Sequence, residues 1–100
     1  MMPNFMEQLQ LMKMKMEEAK EKLDTVFVSG EAAGGDLKVT MNGNKKVKSV
    51  YIAPALQFSS SEELEEQLCV AFNRAMEQAD LVHEKEMKGM ASGILPPGLF

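Results

Sequence analysis

The chain has 100 residues, a length that fits one domain with a thin hydrophobic core. Its 11 basic and 15 acidic residues give a formal net charge of −4, which argues weakly against a nucleic-acid partner. A single cysteine, Cys69, permits no internal disulfide and suits a reducing compartment. The sequence shows no signal peptide and no apolar run near the ~18 residues of a membrane span. We therefore expect a cytoplasmic protein without a membrane partner.

The first predicted element is a helix from Pro3 to Asp24, because proline is tolerated in a first turn and no further proline or glycine follows. Apolar residues recur in this helix at spacings of four and three, which is the pattern of a heptad seam. The seam consists of Phe5, Leu9, Met12, Met16, Ala19 and Leu23. The helix is therefore expected to bury one stripe and to expose a charged side.

Three short strands joined by two tight turns are predicted between Val26 and Ile52. In the central strand, Leu37, Val39 and Met41 alternate with polar residues, which gives the strand one apolar face and one polar face. A meander of three strands is marginal in water, so its apolar face needs a cover. The helices on either side in the sequence can provide that cover.

The turns of this meander have distinct sequence signals. Gly34-Gly35 marks the first turn, and Asn42-Gly43 is typical of a type I′ turn, which has positive φ at both central residues. In the third strand, Lys48 shares the register of the apolar Val50 and Ile52. Because a lysine interrupts the apolar face, we predict a β-bulge or a strand end at Lys48.

A long second helix is predicted from Ser61 to Met90. Ser59 with Glu62, and Ser60 with Glu63, both fit the spacing of a capping box. The apolar stripe of this helix is predicted to consist of Leu64, Leu68, Ala71, Phe72, Ala75, Ala79, Val82 and Met87. The helix would be roughly 45 Å long, whereas a compact 100-residue domain has a radius of gyration of about 13 Å. The helix must therefore protrude beyond the sheet with part of its apolar stripe uncovered. Because a second copy of the chain could cover this stripe, we predict a homodimer.

These elements define the domain organisation. Residues 1–93 are predicted to form a single α+β domain, in which a three-stranded antiparallel meander is combined with two long helices. Residues 94–100, with the sequence ILPPGLF, are predicted to be an apolar, proline-rich tail that is not helical.

No group of catalytic or metal-binding residues is recognisable in the sequence. Cys69 and the only histidine, His83, would lie ~21 Å apart along one helix, which is too far for a nucleophile and its base. We predict that Cys69 is buried and that His83 is on the surface. Gly30, Gly34 and Gly35 are interpreted as turn residues, since no phosphate-loop motif surrounds them. We therefore expect no enzyme activity, no metal, no cofactor and no small-molecule substrate.

The remaining candidate for function is the basic surface. Lysines occur on the first helix (Lys13, Lys15, Lys20 and Lys22), around the second turn (Lys38, Lys45, Lys46 and Lys48) and near the end of the second helix (Lys85 and Lys88). Such side chains bind phosphates through charge and do not read bases. Composition alone favours the alternative, which is the solvated face of an ordinary acidic protein.

Several short motifs occur in an order that resembles the YbaB/EbfC family of bacterial nucleoid-associated proteins. They are Val28-Ser29-Gly30-Glu31, Lys38-Val39-Thr40-Met41-Asn42-Gly43, Ala53-Pro54-Ala55-Leu56, Ala71-Phe72-Asn73 and Leu95-Pro96-Pro97-Gly98. The resemblance covers nearly the whole chain. It implies an α-β-β-β-α protomer, a tweezer-shaped homodimer, and binding of double-stranded DNA that alters DNA conformation in the cytoplasm and nucleoid. It also implies a protein that is not an enzyme.

In that family the DNA contacts are attributed to the two helices of the tweezer arms. By resemblance, Lys15 is the clearest match in the first helix, with Lys13 close by. Where family members often carry adjacent arginines after the position of Asn73, this chain has Glu77 and Gln78. The candidate DNA-binding residues are Lys13, Lys15, Lys20, Lys22, Arg74, Lys85 and Lys88, with Lys38, Lys45, Lys46 and Lys48 as an additional basic patch.

Two functions from different classes follow. The first is a nucleoid-associated protein that binds DNA with little sequence specificity through phosphate contacts, and that influences nucleoid organisation and gene expression. The second is a protein–protein adaptor, which would dock a partner on the methionine-rich first helix and the apolar tail.

Overall fold

A computed structural model of the protein describes residues 4–92. Helix α1 (Phe5–Asp24) is followed by three strands, β1 (Phe27–Ala32), β2 (Leu37–Asn42) and β3 (Val47–Ile52), and by helix α2 (Ser61–Ser92). This order confirms the predicted α-β-β-β-α class. The apolar tail lies outside the described residues, so its boundary at residue 93 stays a prediction.

The three strands form one antiparallel sheet in the order β1-β2-β3, which confirms the predicted meander. Leu37, Val39 and Met41 of the central strand are at most 1% exposed, so the predicted apolar face is the core face. Helix α2 covers this face with Ala71, Ala75 and Ala79, which are fully buried. Alanine at every fourth position lets the helix approach the sheet closely.

Gly30 is not a turn residue, and that interpretation of the sequence is wrong. It lies in β1, where it pairs with Val39. A Cβ atom built on it would be 2.3 Å from both the carbonyl oxygen of Ala71 and the backbone nitrogen of Ala75. The glycine is therefore required because the α2 backbone passes directly over the strand.

The register of β2 and β3 shifts between Thr40 and Met41, which pair with Ser49 and Val47 respectively. Lys48 is the extra residue of this β-bulge, so the bulge predicted at Lys48 is confirmed. The bulge turns Lys48 away from the apolar face of the strand. Its Nζ atom instead lies 4.2 Å above the ring centre of Phe27 on the other side of the sheet.

The two turns differ in how well they match the sequence signals. The first contains Gly34 and Gly35 with φ of 67° and 95°, as the Gly-Gly pair predicts. The second is not a type I′ turn at Asn42-Gly43, because the left-handed residue is Lys45, with φ of 64°. Asn42 instead closes a three-residue loop through backbone hydrogen bonds with Lys45 and Lys46.

Helix α1 begins two residues after the predicted start at Pro3, because Asn4 is its N-cap. The Asn4 side chain accepts a hydrogen bond from the Glu7 N–H, and the Glu7 carboxylate accepts one from the Asn4 N–H, which completes a capping box. At its other end Leu23 is 1% exposed and packs against Gly43, where a Cβ would approach a Leu23 methyl carbon to 2.7 Å. Gly43 is thus needed for space and not for a left-handed turn.

Of the two capping boxes predicted at the start of α2, only the one between Ser60 and Glu63 forms, and only one of its two hydrogen bonds is present. Glu63 N–H donates to the Ser60 hydroxyl, whereas the Glu63 carboxylate accepts from both the backbone N–H and the hydroxyl of Ser59. These hydrogen bonds from Ser59 lower the pKa of the Glu63 carboxyl below its ordinary value.

Cys69 is exposed, so its predicted burial is wrong. It lies one residue beyond Leu68 and about 100° around the helix from it, which takes it off the apolar stripe. The general preference of cysteine for protein interiors is overridden here by its position on the helix.

Helix α2 extends well past the sheet, as its length predicts. The radius of gyration is 18.9 Å and the longest dimension is 67 Å. Helix α1 runs antiparallel to the C-terminal half of α2, since Lys22 contacts Glu86 and Lys15 lies beside Met90. We call α1 together with residues 76–92 of α2 the arm. No helix among residues 4–92 is long and apolar enough to cross a membrane.

Candidate nucleic-acid interface

The four lysines of α1 lie in two pairs on opposite sides of the arm. Lys13 and Lys20 are seven residues apart, which is two helical turns, and so are Lys15 and Lys22. The first pair flanks the contact between α1 and α2 on one side, and the second pair flanks it on the other. Helical periodicity separates the two pairs around α1, but only the position of α2 shows that they lie on opposite sides of the contact between the helices.

On the first side, a cleft of about 410 Å³ opens between the two helices. Lys13, Met16, Glu17 and Lys20 line it from α1, His83 and Met87 line it from α2, and Asn44 closes one end. No ion pair involves Lys13 or Lys20 in the part of the chain that the structure describes. Glu17 lines the same cleft but lies in no ion pair with either lysine, so both ammonium groups can contact an anion from outside. We call this surface the Lys13 side of the arm.

On the second side, both lysines are already paired with acids of the same chain. Lys15 Nζ lies 3.6 Å from a carboxylate oxygen of Glu18, and Lys22 Nζ lies 3.2 Å from one of Glu86. Both lysines are exposed and only the Glu86 side chain is partly buried, so each pair contributes about 0–1 kcal/mol to stability. They nevertheless reduce the positive potential on this surface, which we call the Lys15 side of the arm.

The basic residues of α2 are divided between the sheet and the arm. Arg74 lies over the sheet, where its Nη1 atom donates a 2.7 Å hydrogen bond to the carbonyl oxygen of Glu31 in β1. This bond ties the edge strand to the helix, which is a structural use of the guanidinium group. Lys85 and Lys88 lie exposed on the arm, without an ion pair among residues 4–90.

The lysines around the second turn do not form one patch. Lys45 Nζ lies 2.5 Å from a carboxylate oxygen of Asp80, which connects the β2–β3 loop to α2. Lys46 is exposed beside it. Lys38 and Lys48 lie on the side of the sheet turned away from α2. The structure therefore separates the predicted basic patch into a loop part and a sheet part.

A polar network joins the base of the arm to the β2–β3 loop. One carboxylate oxygen of Asp24 accepts hydrogen bonds from the side-chain amides of Asn42 (3.2 Å) and Asn44 (2.6 Å). The Asn44 amide also donates to the carbonyl oxygen of Lys20, at 2.9 Å. The Asn42 side-chain oxygen in turn accepts from the backbone N–H groups of Asn44 and Lys46. This network fixes the end of α1, and hence the Lys13 side of the arm, against the loop.

Two features of this surface were missed in the sequence. His83 was expected on the surface, but it is half-buried in the cleft beside Lys13 and Lys20. The signal was available, since His83 follows the buried Ala79 by four residues and so flanks the same stripe. The role of Asn44 had no local signal, because it depends on where the loop meets α1.

Comparisons with known proteins agree with this architecture. The family model described as the YbaB/EbfC DNA-binding family matches residues 1–94. A Flavobacterium johnsoniae protein named as a nucleoid-associated protein is 39% identical over 87 residues, which cover 85% of this chain and 81% of the relative. The crystal structure of the uncharacterized protein HP0035 from Helicobacter pylori superposes with a TM-score of 0.64 at 23% identity, over 87% of this chain and 98% of that one, and it supports the fold alone.

Proposed function

The chain belongs to the YbaB/EbfC DNA-binding family, and from this premise we propose that it binds double-stranded DNA through phosphate contacts with little sequence specificity. The observation that carries the proposal is the Lys13 side of the arm. Lys13 and Lys20 present their charges on a surface where no acid of residues 4–90 forms an ion pair with them. Lysine binds phosphate as a point charge, so these contacts give affinity without base readout.

The acids of the arm are less of an obstacle than their number suggests. Asp80 is held by Lys45, and Glu86 is held by Lys22, so two carboxylates near the arm surface are neutralised. Glu77 lies beside Arg74 at the base of the arm, next to β1, and far from the free end of the arm. These pairings support DNA binding at the arm although the paired arginines common in the family are absent.

We further propose a homodimer, because the apolar face of the sheet is only partly covered. Val47, Val50 and Ile52 of β3 lie on the same face as the core residues of β2 but remain 43–49% exposed. Helix α2 covers β1 and β2 and leaves β3 open. A second copy related by a two-fold axis would cover this strip and would repeat the arm, which supports the tweezer arrangement.

Two arms at a fixed spacing would explain how such a protein changes DNA shape. Phosphates neutralised at two separated points favour DNA conformations that reach both, so binding energy can offset the cost of bending. The protein would then act in the nucleoid, in the cytoplasm, by altering DNA conformation and thereby gene expression. It would need no cofactor and would catalyse no reaction.

One observation favours the second candidate function, a protein–protein adaptor. The N-terminal half of α1 exposes large apolar side chains, with Phe5 71%, Met6 63% and Met14 58% exposed. Flexible methionines on a helix surface suit the docking of a partner helix. The apolar tail that completes this hypothesis lies outside the described residues. An adaptor would use these apolar groups, whereas DNA binding would use the lysines.

The test is the fluorescence anisotropy of a labelled duplex titrated with the protein at several salt concentrations. We expect log K to fall linearly with log[salt], with a slope of about −0.9 for each phosphate neutralised. Duplexes of unrelated sequence should bind with similar affinity. A folded, dimeric protein that fails to bind any duplex at low salt would refute DNA binding and leave the adaptor. Energy transfer between dyes at the two duplex ends would report whether bound DNA is bent.

A further inference from the structure

The face of the sheet turned away from α2 is covered by neither helix among residues 4–92. Because paired residues of neighbouring strands project to the same side, the register defines its members. This outer face consists of Phe27, Ser29 and Glu31 from β1, Lys38, Thr40 and Asn42 from β2, and Ser49 and Tyr51 from β3, with Lys48 of the bulge placed on it by its contact with Phe27. Helix α2 packs on the opposite face, and α1 reaches the sheet at the β2–β3 loop.

Two of the six aromatic residues of the chain lie on this face and are open to solvent. Phe27 is 49% exposed and Tyr51 is 53% exposed, so neither contributes a full ring to the core. Phe27 and Tyr51 are two strands apart and four residues apart in register, which separates them by roughly 16 Å. Two rings at this distance leave room for intervening nucleotides of an extended strand.

Positive charge accompanies the two rings. The β-bulge turns Lys48 out of the apolar face and holds its Nζ atom 4.2 Å above the Phe27 ring. Lys38 lies in the row between Glu31 and Tyr51, and no ion pair neutralises Lys38 among the described residues. Glu31 is the one acid among the strand residues that form this face, so the two lysines leave it with a net positive charge.

Exposed rings beside lysines that form no ion pair among the described residues match the chemistry of one class of ligand. In single-stranded nucleic acid the bases are free to stack on aromatic side chains while lysines bind the backbone. In a duplex the base faces are already stacked on each other, so the rings have nothing to bind. We propose that the outer face of the sheet is a binding site for single-stranded nucleic acid, separate from the duplex-binding arm.

With this second site the protein could bind DNA in which part of the duplex is unpaired. The arm would bind the duplex, while the sheet of the same molecule would bind an exposed strand next to it. The inference does not depend on the arm, since it uses different residues and a different form of nucleic acid. A failure of duplex binding at the arm would therefore not contradict the proposed single-strand site.

The test uses the fact that the chain has one tyrosine and no tryptophan. In the Tyr51→Trp variant, the only tryptophan lies on the proposed site, and it can be excited at the red edge of its absorption, where nucleic acids absorb little. We expect oligothymidine to quench its emission in a saturable way, and a blunt duplex of the same length to leave it unchanged. In anisotropy titrations with labelled oligothymidine, Tyr51→Ala should weaken binding by roughly 5- to 150-fold, the loss of one stacked base.

Two further variants distinguish this site from the arm. Lys48→Gln should weaken oligothymidine binding and reduce its salt dependence, whereas Lys13→Gln with Lys20→Gln should leave the quenching unchanged. The proposal is overturned if oligothymidine does not quench the tryptophan, or if duplex quenches it equally well. It is also overturned if the emission shifts with protein concentration and oligothymidine has no effect, because a second copy then covers the face.

Discussion

Gly30 and Ala71 are in backbone contact across the main interface of the fold. A Cβ on Gly30 would be 2.3 Å from the carbonyl oxygen of Ala71, a distance that real Cβ atoms do not reach. Because the contacted atoms are backbone, they cannot move aside as the end of a flexible side chain would. The position of α2 on the sheet, and with it the direction of the arm, depends on this glycine.

We therefore expect Gly30→Ala to lower the free energy of unfolding by about 3 kcal/mol, the upper part of the range for overpacked sites. Urea denaturation followed by circular dichroism would measure it. Gly89→Ala is the matched control, because a Cβ at this helical position would have no neighbour within 4 Å among the described residues. That change should stabilise the protein by about 1 kcal/mol. A Gly30→Ala protein as stable as the natural one would mean that α2 lies further from β1.

The arrangement of the core was predictable from the sequence because it depends on short-range patterns. Alternation along Leu37, Val39 and Met41 identified the buried face, and the position of Lys48 in that alternation identified the bulge. The errors arose where a residue's role depends on a distant segment. Gly30 and Gly43 are glycines because α2 and α1 pass close to them, and no local pattern contains that information.

The candidate site was predictable only as a set of lysines. Helical periodicity alone separates Lys13 and Lys20 from Lys15 and Lys22, but the relevance of the separation depends on where α2 lies. The pairing of Lys22 with Glu86, and of Lys45 with Asp80, joins segments far apart in the chain. Which lysines remain available for phosphate is thus a property of the tertiary structure.

The hydrogen bond between Asn42 and Asp24 gives a second prediction. The Asn42 side-chain amide donates a 3.2 Å hydrogen bond to the Asp24 carboxylate. In Asn42→Asp a second carboxylate would take the place of this amide and would repel Asp24. We expect a loss of about 1.5–3 kcal/mol in the free energy of unfolding at neutral pH, the value of a hydrogen bond to a charged group. The double variant Asn42→Asp, Asp24→Asn restores an amide opposite a carboxylate and should recover most of that loss. If the double variant is no more stable than Asn42→Asp, the two side chains do not interact.

Glu63 gives a prediction about pH. Its pKa is lowered first by the hydroxyl of Ser59 and then by the Ser59 backbone N–H. The carboxylate therefore contributes stability that is present above its unfolded pKa and is lost as pH falls through its lower folded pKa. Ser59→Ala should raise the pKa of Glu63 in an NMR titration, and should destabilise the protein at neutral pH but not in acid. Ser61→Ala is the control, and an unchanged Glu63 titration in Ser59→Ala would contradict the cap formed by Ser59 and Glu63.

The uncovered strip of β3 predicts how the proposed homodimer can be separated. Val50 is 43% exposed on the apolar face, so Val50→Glu would bury a charge against a second copy and should give a monomer. Light scattering during size exclusion would then report 11.1 kDa instead of twice that mass. Ser49→Glu adds the same charge to the outer face of the same strand and should leave the dimer intact. A Val50→Glu protein that remains dimeric would place the interface elsewhere.

The division of the arm lysines predicts that two double variants of equal charge differ in DNA binding. Lys13→Gln with Lys20→Gln removes the unpaired lysines, whereas Lys15→Gln with Lys22→Gln removes lysines that are paired with Glu18 and Glu86. We expect the first variant to weaken duplex binding and to reduce the slope of log K against log[salt] by about 0.9 for each phosphate that it no longer neutralises. The second should weaken binding less, because Lys15 and Lys22 contact carboxylates and not phosphates, and its effect should be limited to the negative charge of the freed Glu18 and Glu86. Equal weakening by both variants would show that only net charge matters, and the Lys13 side would lose its special role.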